Sequence, residues 1–259
     1  MDKMAYLNQI FNLALQKKEI VIPLFVGLII YLILPRTGKK WVQNYLIPIS
    51  FFSFIFLRTL FLTIMSLKGG VHLSYVGIIV LINKSLLIIF MGITIFSYII
   101  RLSPDHSAKG IWEKYYPTFV FALHIMGAHF ISVYTKINVV PIFFVIGLTL
   151  CFFGLILDIT SLWHLRKSFS ITVEVRKLVN KGPYKYVRHP LYTGEVIYWL
   201  GLTLLFNNRI IYVFFIVILI TQISRALLEE HKLFKHVDEY CTYKQATGFI
   251  LPKVNFFRF

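Results

Sequence analysis

Seven apolar runs dominate this chain, at about residues 20–34, 45–66, 74–100, 115–134, 139–163, 193–206 and 209–226. Most are long enough to cross a hydrocarbon layer of about 30 Å, which an α-helix spans in roughly 20 residues. Lipid offers no water to satisfy backbone N–H and C=O groups, so apolar runs of this kind must satisfy them internally, as helices do. The predicted fold class is all-α, a polytopic transmembrane helical bundle of about seven helices. Only Asn207 and Asn208 separate the sixth run from the seventh, which predicts a tight antiparallel hairpin. No small-residue cleavage site follows the first run, so it is expected to persist as a helix.

Composition agrees: 58% of the 259 residues are hydrophobic and 17% aromatic, too apolar for a water-soluble domain. A net charge of +16 would by itself suit nucleic acid or anionic headgroups. The charges, however, lie in loops between apolar runs and form no basic domain, which favours membrane lipids as partners over nucleic acid. Nineteen of the 27 basic residues fall in loops 35–44, 101–114 and 164–192 and in the tail from Arg225, against six on the opposite side. Basic residues gather on the cytosolic side of membrane proteins, so these four segments are expected there. Lys17 and Lys18 run against the bias and leave open whether the first run spans or lies in the interface. Cys151, inside an apolar run, and Cys241, near the C-terminus, are too few and too differently placed for a disulfide framework and are expected to be free thiols.

The sequence changes character near residue 139, dividing N-terminal transmembrane helices (1–138) from a core of different composition (139–259). Loop 164–192 is dense in charge and β-branched residues. The tail, RALLEEHKLFKHVDEYCTYKQATGFILPKV, reads as a membrane helix running out into a cytosolic helix, then strand or coil to Pro252. These two segments flank one helical hairpin, so they meet at one membrane face and can build a small cytosolic binding region.

Within the loop, the stretch from Gly182 to Gly194 has Pro183 and Pro190 restricting φ and glycines relaxing it, which predicts a rigid, non-helical turn. It can present backbone groups, the His189 imidazole and the Tyr192 ring to a ligand, or it can act as an interfacial anchor. Arg225 and Glu229 are i,i+4 neighbours at the end of the last run, with Glu230 beside them. So close to lipid they are costly unless paired with each other or with a polar ligand. A Glu can hold an ammonium, and an Arg a carboxylate through two parallel hydrogen bonds. His124 and His129, at i,i+5, do not share a face and read as packing or interhelical hydrogen bonds. Asp158 and His164 either approach a ligand or, for Asp158, pair with Arg166 or Lys167. Arg58 reads as snorkelling, and Lys84 carries no assignment. No metal-ligand set and no Ser-His-Asp arrangement is visible.

The loop LVNKGPYKYVRHPLYTGE, preceded by Ser168-Phe169-Ser170, and the tail pattern R-x3-EE-x2-L, followed by Tyr240, Tyr243 and Leu251-Pro252, resemble the isoprenylcysteine carboxyl methyltransferase family. Phospholipid N-methyltransferases and methanethiol S-methyltransferases are similar relatives. The resemblance covers about residues 150–253. It implies an integral membrane, multi-pass enzyme that uses S-adenosylmethionine to methylate a lipophilic or prenylated acceptor on the cytosolic face, without a metal. Carried over by motif, the cofactor-binding residues are Arg176, Lys177, Leu178, Val179, Tyr184, His189, Pro190, Leu191, Tyr192 and Glu229. Glu174 takes a further cofactor position, although its connection to Leu178 is shorter than in eukaryotic members. Arg225 matches the position that faces the substrate carboxylate, and with Glu229 it makes up the implied catalytic pair.

Methyl transfer from a sulfonium is an in-line displacement that rests on alignment and on exclusion of water. A carboxylate acceptor needs no base, whereas an amine or thiol acceptor needs one, for which Glu230 or His231 is the candidate. Phospholipid N-methylation, thiol S-methylation, an NADPH-dependent membrane reductase and a non-enzymatic membrane scaffold or transporter stand as alternatives.

Overall fold

The computed structural model describes residues 47–68, 75–134 and 141–253. The chain divides into two compact units, Met1–Phe51 and Phe52–Phe259. In the first unit the described residues are those that open α1 (Ile47–Lys68). The second unit continues with α2 (Tyr75–Ile100), α3 (Gly110–Tyr134), α4 (Pro141–Leu165), α5 (Pro190–Phe206), α6 (Arg209–His236) and α7 (Tyr240–Ala246). Among the described residues there is no sheet, only two isolated bridges, His106 with Val175 and Val187 with Gly248. The fold is all-helical, as its apolar runs predict. Among the described residues three helical segments, Val80–Ile100, Pro141–Ser168 and Arg209–His236, are long and apolar enough to cross a membrane. The apolar run at 20–34 lies outside the described residues.

The α5–α6 hairpin forms for local reasons. Asn207 adopts the left-handed conformation (φ 43°) that ends α5, and its N–H returns to the Thr203 carbonyl. Asn208 then caps α6, its side chain accepting from the Ile210 N–H at 2.9 Å. Asparagine tolerates the first position and is favoured at the second. Trp199 of α5 packs with Ile211 and Ile218 of α6 to close the hairpin.

Helices α4 and α5 approach through two glycine pairs, Gly147 with Gly201 and Gly154 with Gly194. A Cβ on Gly154 would stand 2.7 Å from the Tyr198 backbone nitrogen, and one on Gly201 would stand 2.6 Å from the Gly147 carbonyl oxygen. The seven-residue spacing on both helices stacks each pair on one face. Small residues let transmembrane backbones approach, which is the main source of packing where both lipid and helix are apolar. This close contact places the N-terminus of α5, with the loop before it, against the end of α4.

One local expectation needs correction. The stretch from Gly182 to Gly194 is not free of helix: Gly182–Lys185 forms one 3-10 turn, and α5 begins at Pro190. Proline at the first helical position loses no hydrogen bond and has φ set in advance. After α6, α7 precedes the non-helical residues 247–253, in keeping with the tail's reading as helix followed by strand or coil.

Candidate active site

The loop after α4 and the tail after α6 fold onto each other at one end of the bundle. Residues 169–179 form no helix and are pinned by the Val175 N–H to the His106 carbonyl at 3.0 Å and the Val173 N–H to the Glu113 carbonyl at 2.9 Å. On the other side the tail pairs with the turn before α5. The Arg188 N–H donates to the Gly248 carbonyl at 2.9 Å, the His189 N–H to Phe249 at 3.2 Å, and the Gly248 N–H to Tyr186 at 3.0 Å. The Thr193 hydroxyl adds a bond to the Ile250 carbonyl at 2.8 Å.

A cavity with an empty volume of about 1150 Å³, part of it open to solvent, lies between these segments and the helices. Of the sequence-predicted residues, Glu174, Arg176, Lys177, Leu178, Val179, Tyr184, His189, Leu191, Tyr192, Arg225 and Glu229 all line it. Pro190 does not; it is buried at the first position of α5.

At the α5–α6 side, Tyr192 donates its hydroxyl to Glu229 Oε1. Its ring stacks on His189, centroids 5.6 Å apart and planes 3° from parallel, and the Arg225 guanidinium lies 4.7 Å from its centroid. Arg225 and Glu229 therefore do not form the i,i+4 ion pair that their spacing allows. Arg225 instead donates from Nη1 to Gln222 Oε1 at 3.2 Å. On the loop side, Glu174 and Arg176 are ion-paired at 2.6 Å. Ser170 donates to Glu174 at 2.8 Å, and Arg176 Nε donates to the Leu102 carbonyl at 2.9 Å.

Glu230 has a structural place. Arg188 Nε lies 2.6 Å and Lys244 Nζ 2.9 Å from its carboxylate, and the other arm of Arg188 reaches the Thr247 carbonyl at 2.6 Å. Neither Glu230 nor His231 lines the cavity, so neither stands where an acceptor's proton could be taken up. Asp158 and His164 also lie off the cavity lining. Asp158 is buried against Gly194, and Arg166 stacks on Trp163 at 3.9 Å. His164 bonds the Thr160 carbonyl at 2.7 Å. His124 bonds across to Gln222 of α6 at 3.0 Å; the His129 side chain lies outside the description. Cys151 and Cys241 are free thiols.

Three phenols close the tail side. Tyr243 donates to the Tyr184 carbonyl at 2.7 Å, and burial pushes its own hydroxyl up to about 12. Burial also raises Tyr184 and Tyr240, so all three are neutral donors at physiological pH. Sequence reasoning missed Glu195, Gln222 and Lys232. Glu195 and Lys232 line the cavity, with Phe52, Phe90, Thr94 and Phe121 from α1–α3. A carboxylate inside an apolar run is itself a signal, and Glu195 carried it.

Residues 142–237 match the family model described as phospholipid methyltransferase. Protein-S-isoprenylcysteine O-methyltransferase B of Arabidopsis thaliana is 31% identical over 116 residues, 42% of this chain, which thus spans 59% of that relative's length. A solved structure of the eukaryotic intramembrane Ras methyltransferase (isoprenylcysteine carboxyl methyltransferase) aligns with 90% of this chain and 93% of its own, at 17% identity and a TM-score of 0.41. Residues 142–237 are thus similar to the phospholipid methyltransferase family model, and the chain is similar over 116 residues to an isoprenylcysteine O-methyltransferase.

Proposed function

We propose that this integral membrane protein transfers a methyl group from S-adenosylmethionine to a lipophilic acceptor at the cytosolic face, with isoprenylcysteine carboxyl O-methylation as the closest model. The observation that carries this reading is one cavity bounded by two chemistries. Charged and hydroxylated groups of the loop and tail face phenylalanines of three helices across it, which suits a polar nucleotide on one side and an apolar chain on the other.

The residues present fit the cofactor. Glu229 and the ring of Tyr184 offer anionic and aromatic surfaces to a cation. Arg176 Nη1 and the Tyr240 hydroxyl are buried with no hydrogen-bond partner among the described residues, a cost that a bound polar group removes. S-adenosylmethionine, when bound, supplies a methyl group on a sulfonium centre. Residues 174–179 and the turn 184–192 give the binding wall, while Arg225 orients an acceptor carboxylate. Packing of the tail over the loop excludes water, which favours a step in which charge separation is lost.

A second reading, an amine or thiol acceptor, is favoured by one observation: Glu195 presents a carboxylate to the cavity. In that case Glu195, rather than Glu230 or His231, takes up the proton.

Calorimetry of the purified protein in lipid nanodiscs tests the reading. Saturable binding of S-adenosylhomocysteine that NADPH does not displace is expected; absence of binding overturns it.

A further inference from the structure

Gln222 sits one turn before Arg225 on α6 and is fully buried. Its amide nitrogen donates to Glu195 Oε2 of α5 and lies 3.0 Å from His124 Nε2 of α3. Its amide oxygen accepts from Arg225 Nη1. The orientation of the amide follows from its surroundings. His124 Nδ1 lies 2.7 Å from the Val120 carbonyl and must carry the proton there, which leaves Nε2 as an acceptor. With acceptors at both Glu195 and His124, the NH2 group faces them and the carbonyl is left for the guanidinium. A flipped amide would set oxygen against two acceptors and NH2 against a cation.

The bond falls on a particular nitrogen. A guanidinium offers a side-on fork made of Nε and Nη2, and Nη1 is the nitrogen outside it. Arg225 is only 4% exposed, yet its Nε has no hydrogen-bond partner among the described residues, and no described hydrogen bond engages Nη2. Tyr192 holds one face of the group by stacking. The fork is thus without a hydrogen-bond partner among the described residues, on a residue that lines the cavity.

We propose that Gln222 is a positioning residue that fixes Arg225 by Nη1, so that the Nε–Nη2 edge is presented to the carboxylate of the acceptor. This rests on the methyltransferase reading of the cavity and deepens it toward carboxyl acceptors. Without the amide, Arg225 keeps its charge but loses its direction, and a carboxylate gains less over a neutral group of the same shape.

The test uses the full chain in nanodiscs, with N-acetyl-S-farnesylcysteine and its primary carboxamide as probes read by tryptophan fluorescence. The wild type is expected to prefer the carboxylate. In Gln222→Leu that preference falls by about tenfold, while S-adenosylhomocysteine affinity stays within about twofold. The exchange Gln222→Glu with Glu195→Gln moves the amide across the same contact and still offers Arg225 an acceptor; His124 meets the new carboxylate by carrying its proton on Nε2 in place of the Val120 bond, so the exchange recovers most of the preference. A packing role for Gln222 would not produce that recovery. An unchanged preference in Gln222→Leu, no preference in the wild type, or no recovery in the exchange overturns the proposal. Failure of the wild type to bind S-adenosylhomocysteine overturns the methyltransferase reading instead.

Discussion

Arg188, in the turn before α5, and Glu230, forty-two residues later on α6, meet at 2.6 Å with both side chains almost fully buried. The same guanidinium reaches two carbonyls of the tail, those of Lys244 and Thr247. One side chain therefore joins the loop wall of the cavity to the helix and tail behind it. Its partner carboxylate is in turn held by Lys244, so the joint is a network and not a single exposed pair.

Removing one member leaves the other charge buried, which typically costs about 3–5 kcal/mol. Arg188→Ala and Glu230→Gln are expected to lower the thermal midpoint and to weaken S-adenosylhomocysteine binding together, because the tail no longer closes on the loop. Thermal unfolding and calorimetry on the same preparations check this. A variant with normal binding and normal midpoint would show that the joint does not hold the cavity.

Glu229 and Arg225 should behave differently from that pair and from each other. Glu229 accepts from the Tyr192 hydroxyl, whereas Arg225 lies over the Tyr192 ring and donates to Gln222. Glu229→Ala is expected to reduce cofactor affinity by about tenfold or more, the loss of one charge-assisted contact. Arg225→Ala is expected to spare cofactor affinity and raise KM for the acceptor. Parallel losses of both constants in both variants would contradict the division.

Much of this arrangement is legible in the sequence, but not evenly. Helix existence follows from apolar length, so the runs at 74–100 and 139–163 correspond to α2 and α4 within a few residues. Ends are harder wherever a helix continues into polar residues. The run ending near 226 belongs to a helix that extends to His236, because Glu230 and Lys232 find partners there. The cavity wall at 174–192 is contiguous and could be read as a motif. Gln222 and Glu195 come from separate helices, and only their packing at the glycine-stacked α4–α5 contact and the α5–α6 hairpin brings them together. Asp158 shows the opposite failure. Sequence proximity favours Arg166 or Lys167, yet Arg166 turns at φ 38° onto Trp163 and Asp158 stays beside Gly194.

The glycine contact between α4 and α5 makes its own prediction. At Gly154 an added methyl meets backbone atoms of α5 below 3 Å, and backbone cannot step aside as a side chain can. Gly154→Ala is expected to lower the thermal midpoint by an amount matching about 1–3 kcal/mol of overpacking. Gly92→Ala, on α2, is the control. Its methyl would lie 3.8 Å from the Phe56 ring, an ordinary contact, so helix propensity dominates and the midpoint holds or rises. Equal effects at both sites would mean that the α4–α5 approach is not close.

The last prediction concerns acid. Lys232, buried on α6, donates to Glu113 Oε2 at 2.6 Å, to the Ser107 carbonyl at 2.7 Å and to the Val173 carbonyl at 3.1 Å. It thereby ties α3 and the cavity wall to α6. Burial works to raise the Glu113 carboxyl, but the hydrogen bond and charge of Lys232, helped by the Lys109 N–H, outweigh it and hold the group below the usual carboxylate range. A carboxyl that is more acidic folded than unfolded stabilises the fold at pH values above its unfolded pKa, and that contribution disappears as pH falls through the folded value. Wild-type stability should therefore decline below about pH 4.3, the ordinary range for glutamate. Glu113→Gln should be less stable at pH 7, where Lys232 keeps its charge without a counterion. The difference between the two proteins should narrow on acidification. Thermal midpoints at pH 7 and pH 4 measure this directly, and a gap that stays constant with pH would show that the Glu113–Lys232 pair does not carry the effect.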